Sequence, residues 1–178
     1  MYCANCNCEV VEKITERPET YQVKGKEYTV NAQVPVCPHC NIDLWDPDAE
    51  DRILRQVYAM YREDTGLLSP EEIKEIREQY GLSQSSFARL LGFGEKTITR
   101  YENGALQDEV QNNLLLMMKK QANFQEIFEK NKGRLTEFER SRVKKKLRSR
   151  WGFWYAFRND YHFEATNQWE LQEEFAGN

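Results

Sequence analysis

Apolar residues recur at two different periods along this chain. From Tyr21 to Val34 they alternate: Tyr21 and Val23, a Lys-Gly-Lys turn around Gly25, then Tyr28, Val30, Ala32 and Val34. Alternation on both sides of a glycine turn predicts a hairpin or short sheet with one buried face. After Asp46 the period lengthens. Asp46 is placed to cap a helix that begins with Pro47, and Ile53, Val57 and Met60 mark its buried stripe. Gly66 ends that helix, and Leu67 and Leu68 make the following connection apolar enough to dock.

Between Ser69 and Gly104 the pattern becomes three short helices with sharp punctuation. Ser69, Pro70 and Glu72 spell a capping box with proline in the first helical position. Ile73, Ile76 and Tyr80 then fall on one stripe before Gly81 stops the helix. Ser83 can cap the second helix, whose apolar face is Phe87, Ala88, Leu90 and Leu91. Gly92-Phe93-Gly94 leaves room only for a tight turn. A third helix is expected over roughly Glu95 to Asn103, closed by Gly104. Two short helices joined by a glycine-containing turn form a helix-turn-helix. In the third helix Ile98 and Tyr101 face the core, which leaves Lys96, Thr99 and Arg100 outside and Thr97 at the border. Lys96 and Arg100 are i, i+4 neighbours and can reach one DNA groove, where an arginine donates two hydrogen bonds to a guanine edge.

Charge changes the picture locally. The 178-residue chain has net charge -4, distributed as -5 over 1–69, -1 over 70–123 and +2 over 124–178. DNA binding by a nearly neutral helix-turn-helix must lean on placed contacts and helix N-termini, with Gln84 near the start of the second helix as a positioning residue. Four of the five cysteines form Cys3-x-x-Cys6 and Cys37-x-x-Cys40. Two such knuckles complete a closed tetrahedral zinc site, which holds a fold together and leaves no position for substrate. A thioredoxin-like redox pair would need a βαβ context that is absent. Cys8 and His39 read as bystanders. The expected organisation is mainly α with a small zinc-bound β hairpin or sheet at the N-terminus: a zinc-binding domain with its helix over 1–66, a helix-turn-helix over 67–123, and a helical, aromatic-rich extension over 124–178.

The stretch LSQSSFARLLGFGEKTITRYENG resembles the helix-turn-helix of lambda-repressor-like (Xre) regulators, with "LSQ" opening the second helix and "RYENG" closing the third. Preceded by the paired cysteines, residues 1 to about 123 resemble the MqsA-type antitoxins. The resemblance implies a DNA-binding homodimer that represses its own operon and neutralises a partner toxin. It also implies base contacts from the positions of Lys96 and Arg100. A family member carries asparagine where this chain has Lys96, which implies a different operator.

Beyond the helix-turn-helix, Asp108 is placed to cap a helix with Val110, Leu114 and Met117 at helical spacing and Leu115 and Met118 alongside. One side of this wide stripe is expected on the core, and the other is free to meet a second copy of the chain. Thr136 and Glu139 spell another capping box, opening a helix that carries Arg140, Arg142, Lys144, Lys145, Lys146, Arg148 and Arg150. That row reads either as a solvated face or as an accessory phosphate-binding element. Nine aromatics crowd the final 28 residues, from Trp151 to Phe175. No phosphate loop and no Ser/His/Asp constellation argue for an enzyme. With no signal peptide and no long apolar run, the expectation is a cytoplasmic transcriptional repressor of double-stranded operator DNA, with no membrane association. The competing readings are a mobile-element regulator without a toxin and a protein-interaction adaptor that keeps a vestigial helix-turn-helix.

Overall fold

The computed structural model describes residues 1–159, with side chains through Arg148. The aromatic side chains from Trp151 to Phe175, and His162, lie outside the described residues. Two small antiparallel pairs open the chain: β1 (Tyr2–Cys3) with β2 (Cys8–Glu9), and the long hairpin of β3 (Lys13–Val23) with β4 (Lys26–Val36). Lys24 and Gly25 both have positive φ, 46° and 84°, as a two-residue hairpin turn of matching twist requires. Alternation along β4 puts Tyr28, Val30, Ala32, Val34 and Val36 on the inner face. That face is covered by α1 (Pro47–Thr65) through Ile53, Val57 and Tyr61.

The stripe of α1 corrects one expectation. Met60 is exposed, and Tyr61 takes the inward place, its ring edge-on to Tyr28 at 6.0 Å. Asp46 caps the helix as expected, its carboxylate accepting from the Asp48 N–H.

Six further helices share a second core: α2 (Pro70–Glu78), α3 (Gln84–Leu91), α4 (Thr97–Glu102), α5 (Glu109–Met118), α6 (Gln121–Asn131) and α7 (Glu137–Asn159). The capping box at Ser69 and Glu72 is complete, and Ser83 caps α3. α4 is shorter than the spacing suggested. It starts at Thr97, so Lys96 stands at its cap position with no side-chain cap bond. In α5 the packed face carries Asn112, Leu115 and Met118, while Val110 and Met117 are exposed and Leu114 is half-buried. Tyr80 stacks on Phe124 with centroids 3.4 Å apart, and its hydroxyl donates to the Met118 carbonyl at 2.6 Å. Phe124, Phe128, Leu135, Val143 and Leu147 belong to the same apolar cluster as Phe87 and Ile98, so this core runs past residue 123 without a break.

The two cores are joined by a polar seam. Arg62, buried at the end of α1, donates to the Gly104 carbonyl at 2.7 Å, and Lys24 at the hairpin tip donates to the Gln107 carbonyl at 3.3 Å. Gln107 is fully buried and donates to the Leu68 carbonyl, while the Leu68 N–H donates to Asn112. Leu67 and Leu106 pack against the hairpin core, so the connection between the modules is docked.

Candidate functional site

Two places concentrate chemistry. At the N-terminus the knuckle turns bring the sulfurs of Cys3, Cys6, Cys37 and Cys40 within 4.8 Å of one another. Cys3 and Cys40 are 3.6 Å apart and Cys6 and Cys37 3.9 Å, far beyond disulfide length. Cys3 and Cys37 are buried beside Val10 and Leu44, in an apolar cluster separate from the hairpin core. The knuckle is fastened to the hairpin by Arg17, which donates to both Asp43 oxygens at 2.8 and 2.5 Å. The Ile42 backbone N–H holds the Cys40 thiol down at about 6 against the opposing effect of burial. Its hydrogen bond to Cys40, together with burial, pushes Cys6 up. Four thiols this close cannot all ionise unaided, and a bound cation is what permits it. The cluster can therefore coordinate a metal ion. Cys8 and His39 are exposed and outside it.

The second place is the face made by α3 and α4. Buried Ile98 and Tyr101 fix the inner side of α4, so Lys96 and Arg100 lie exposed on its outer side, with Thr97 and Thr99 half-buried at the border. Gln84, at the first position of α3, is committed at both ends. Its amide nitrogen donates to Glu102 at 2.7 Å, and its oxygen accepts from the Thr99 hydroxyl at 2.9 Å. Glu102 in turn accepts two bonds from Arg77 of α2, at 2.6 and 2.9 Å, and Arg77 also donates to the Leu82 carbonyl.

This Arg77–Glu102–Gln84–Thr99 chain ties three helices together and was missed by pattern reasoning. Two signals could have found it. Arg77 occupies a position of the stripe otherwise made by Ile73, Ile76 and Tyr80. Glu102 sits at the C-terminal end of α4, where the helix dipole disfavours a carboxylate unless a cation answers it. A second node was also missed. Glu139 of α7 accepts from the Ser86 hydroxyl, from Arg89 at 2.8 Å and from the Thr136 N–H at 2.8 Å. Burial opposes its ionisation, but the bonds from Ser86, Thr136 and Arg89 together hold its pKa down at about 2.

A β-hairpin module with a four-sulfur metal-binding cluster, followed by a helix-turn-helix in a helical bundle, defines a DNA-binding regulator. The chain belongs to the family of MqsA, the antitoxin component of a bacterial toxin-antitoxin system, whose model matches residues 1–146. No curated protein matches the chain. Its function is that of an antitoxin, a non-catalytic regulator, and the family in general has partners of two kinds, DNA and a toxin. Among the described residues, no helix is long and apolar enough to cross a membrane.

Proposed function

We propose that the protein represses transcription from its own operon by binding a two-half-site operator as a homodimer, with α4 reading bases in the major groove. The observation that carries this is the pairing of Lys96 and Arg100, exposed one turn apart on the side of α4 opposite Ile98 and Tyr101. Thr97 and Thr99 flank them. Gln84, already bonded to Thr99 and Glu102, sets the angle between α3 and α4 and positions the reader. Exposed Val110 and Met117 on α5, with half-buried Leu114 between them, suit the contact between copies that a two-fold operator requires.

Cys3, Cys6, Cys37 and Cys40 hold one structural Zn2+. A tetrahedron with Zn–S bonds of about 2.3 Å spaces its sulfurs by about 3.8 Å, and the separations of 3.6 and 3.9 Å suit that ion. Reduced thiols of this kind fit a cytoplasmic protein. We also read the molecule as a metal module over 1–66 and a helix-turn-helix unit that begins at 67 and draws on α6 and α7 for its core.

The test is binding by the full chain to the DNA upstream of its own reading frame and to random duplex. Arg100→Ala is expected to cost roughly 1–3 kcal/mol on the operator, about one to two orders of magnitude, and to relax preference at one position per half-site. Lys96→Ala does the same if it meets a base, and mainly lowers the salt slope if it meets a phosphate. A folded Arg100→Ala protein that still separates operator from random DNA by the wild-type ratio would overturn the assignment of α4 as reader.

A further inference from the structure

The run from Arg140 to Arg150 contains seven basic residues and no acidic one, in a chain whose net charge is -4. An ordinary solvated helix mixes signs, and like charges at i, i+4, such as Arg142/Lys146 and Lys144/Arg148, oppose helix formation. Here the helix is nonetheless fixed in one pose. Val143 and Leu147 are buried in the helix-turn-helix core, and Glu139 bonds Ser86 and Arg89 of α3. One turn on, the Arg142 and Lys146 stems lie over Gly81: a Cβ built there would meet Lys146 Cγ at 3.1 Å and Arg142 Cγ at 3.5 Å. Gly81, at φ 70°, is buried and has no side chain to hold α7 away.

These contacts give α7 a direction. It starts beside the middle of α3 and runs back toward the turn that precedes Gln84. Its cationic arc therefore passes over Gly81, three residues before Gln84, the residue bonded to Thr99 of α4. In a helix-turn-helix the helix before the reader crosses the phosphate backbone. Arg142, Lys145 and Arg148 are exposed, and among the described residues no carboxylate pairs with them.

We propose that the exposed basic face of α7 is a second, sequence-independent DNA contact, which grips the phosphate backbone flanking the segment read by α4. It rests on the reading of α4 as the DNA-facing helix. Charge complementarity and the attachment of α7 to α3, the helix beside α4, through Glu139 on Ser86 and Arg89 select duplex DNA as the occupant. The near-neutral helix-turn-helix thereby gains the electrostatic affinity it lacks, supplied by a helix held at its side.

The test measures affinity of the full chain for the upstream operator and for random duplex across a salt series. The variant Arg142→Gln/Lys145→Gln/Arg148→Gln keeps the stems and removes three charges. Neutralising contacts to about two or three phosphates is expected to lower the log–log salt slope by about 2–3 on both DNAs. The operator-to-random ratio stays within about twofold. Lys13→Gln, exposed on β3, removes a charge elsewhere and leaves the slope unchanged. If the triple variant loses helical signal, Lys145→Gln alone decides, with an expected slope change of about 1. Unchanged slopes overturn the proposal and leave the row a solvated face. A loss confined to the operator overturns it too, because a phosphate grip does not distinguish sequences. Arg100→Ala in the same series separates the two readings: loss of operator preference there with no slope change in the α7 variants removes only the proposal, and an indifferent Arg100→Ala removes the reading of α4.

Discussion

The ion pair of Arg77 and Glu102 decides how firmly α4 is held. Both side chains are nearly out of solvent, 10% and 5% exposed, and the guanidinium meets the carboxylate through two bonds. A buried pair of this kind contributes little relative to an apolar replacement, but removing one partner strands the other charge. Glu102→Ala is therefore expected to destabilise the fold by about 3–5 kcal/mol, and to free the Gln84 amide as well. Urea unfolding followed by circular dichroism reads it. A loss under about 1 kcal/mol, the range of an exposed pair, would show that the pair is solvated in solution. The pair escaped the sequence because its members are 25 residues apart and each lies on a helix that looks complete without it. The cysteines were legible for the opposite reason. Each knuckle is a local spacing, and thiolate chemistry restricts what two such spacings do together.

At the scale of elements, helix starts were legible wherever a cap is spelled in adjacent residues: Asp46, Ser69, Ser83, Asp108 and Thr136 all accept from the first turn. Helix phase was harder. Met60 and Tyr61 both fit the stripe of α1, and the ring of Tyr28 on another element chooses between them. α5 is apolar nearly all round, and its inward side is set by Asn112, which accepts from the Leu68 N–H. The docking of α7 was not legible at all, since it depends on Glu139 finding Ser86 and Arg89 about fifty residues away. That contact has a pH signature. The Glu139 pKa is depressed from the usual carboxylate range to about 2, so its stabilisation is complete above the unfolded value and lost as pH falls through the folded one. Its carboxylate is 20% exposed, which limits the effect to about 1–2 kcal/mol. Glu139→Gln should thus be less stable than the parent at pH 7, with the gap narrowing below about pH 4.5 and closing near pH 2. Paired urea titrations along that range check it. A gap independent of pH would mean that Glu139 acts through shape and hydrogen bonding alone.

For the whole molecule the question is how far the metal's influence reaches. Three apolar clusters lie in series: the cysteine knuckle, the hairpin against α1, and the helical core. The knuckle cluster has only Val10 and Leu44 beside its cysteines, too little apolar surface to order that segment without the ion. The hairpin has its own cover in Ile53, Val57 and Tyr61, and the seam of Arg62, Lys24, Gln107 and Asn112 holds it to the helical core independently of the sulfurs. Chelation, or Cys37→Ser, is therefore expected to release only the knuckle, roughly residues 1–12 and 36–45. Arg17 would lose its hold on Asp43 as those residues loosen. Hydrogen exchange should show lost protection in these two segments, with amides of β4, α1 and the helix-turn-helix still slow. DNA binding should survive within a few-fold, because no residue of the α3–α4 face depends on the sulfurs. Collapse of protection across α1 and α2 together with the knuckle would contradict this, and would make the metal the keystone of one cooperative unit. The same outcome would show that the seam at Arg62 transmits disorder from the metal module into α4.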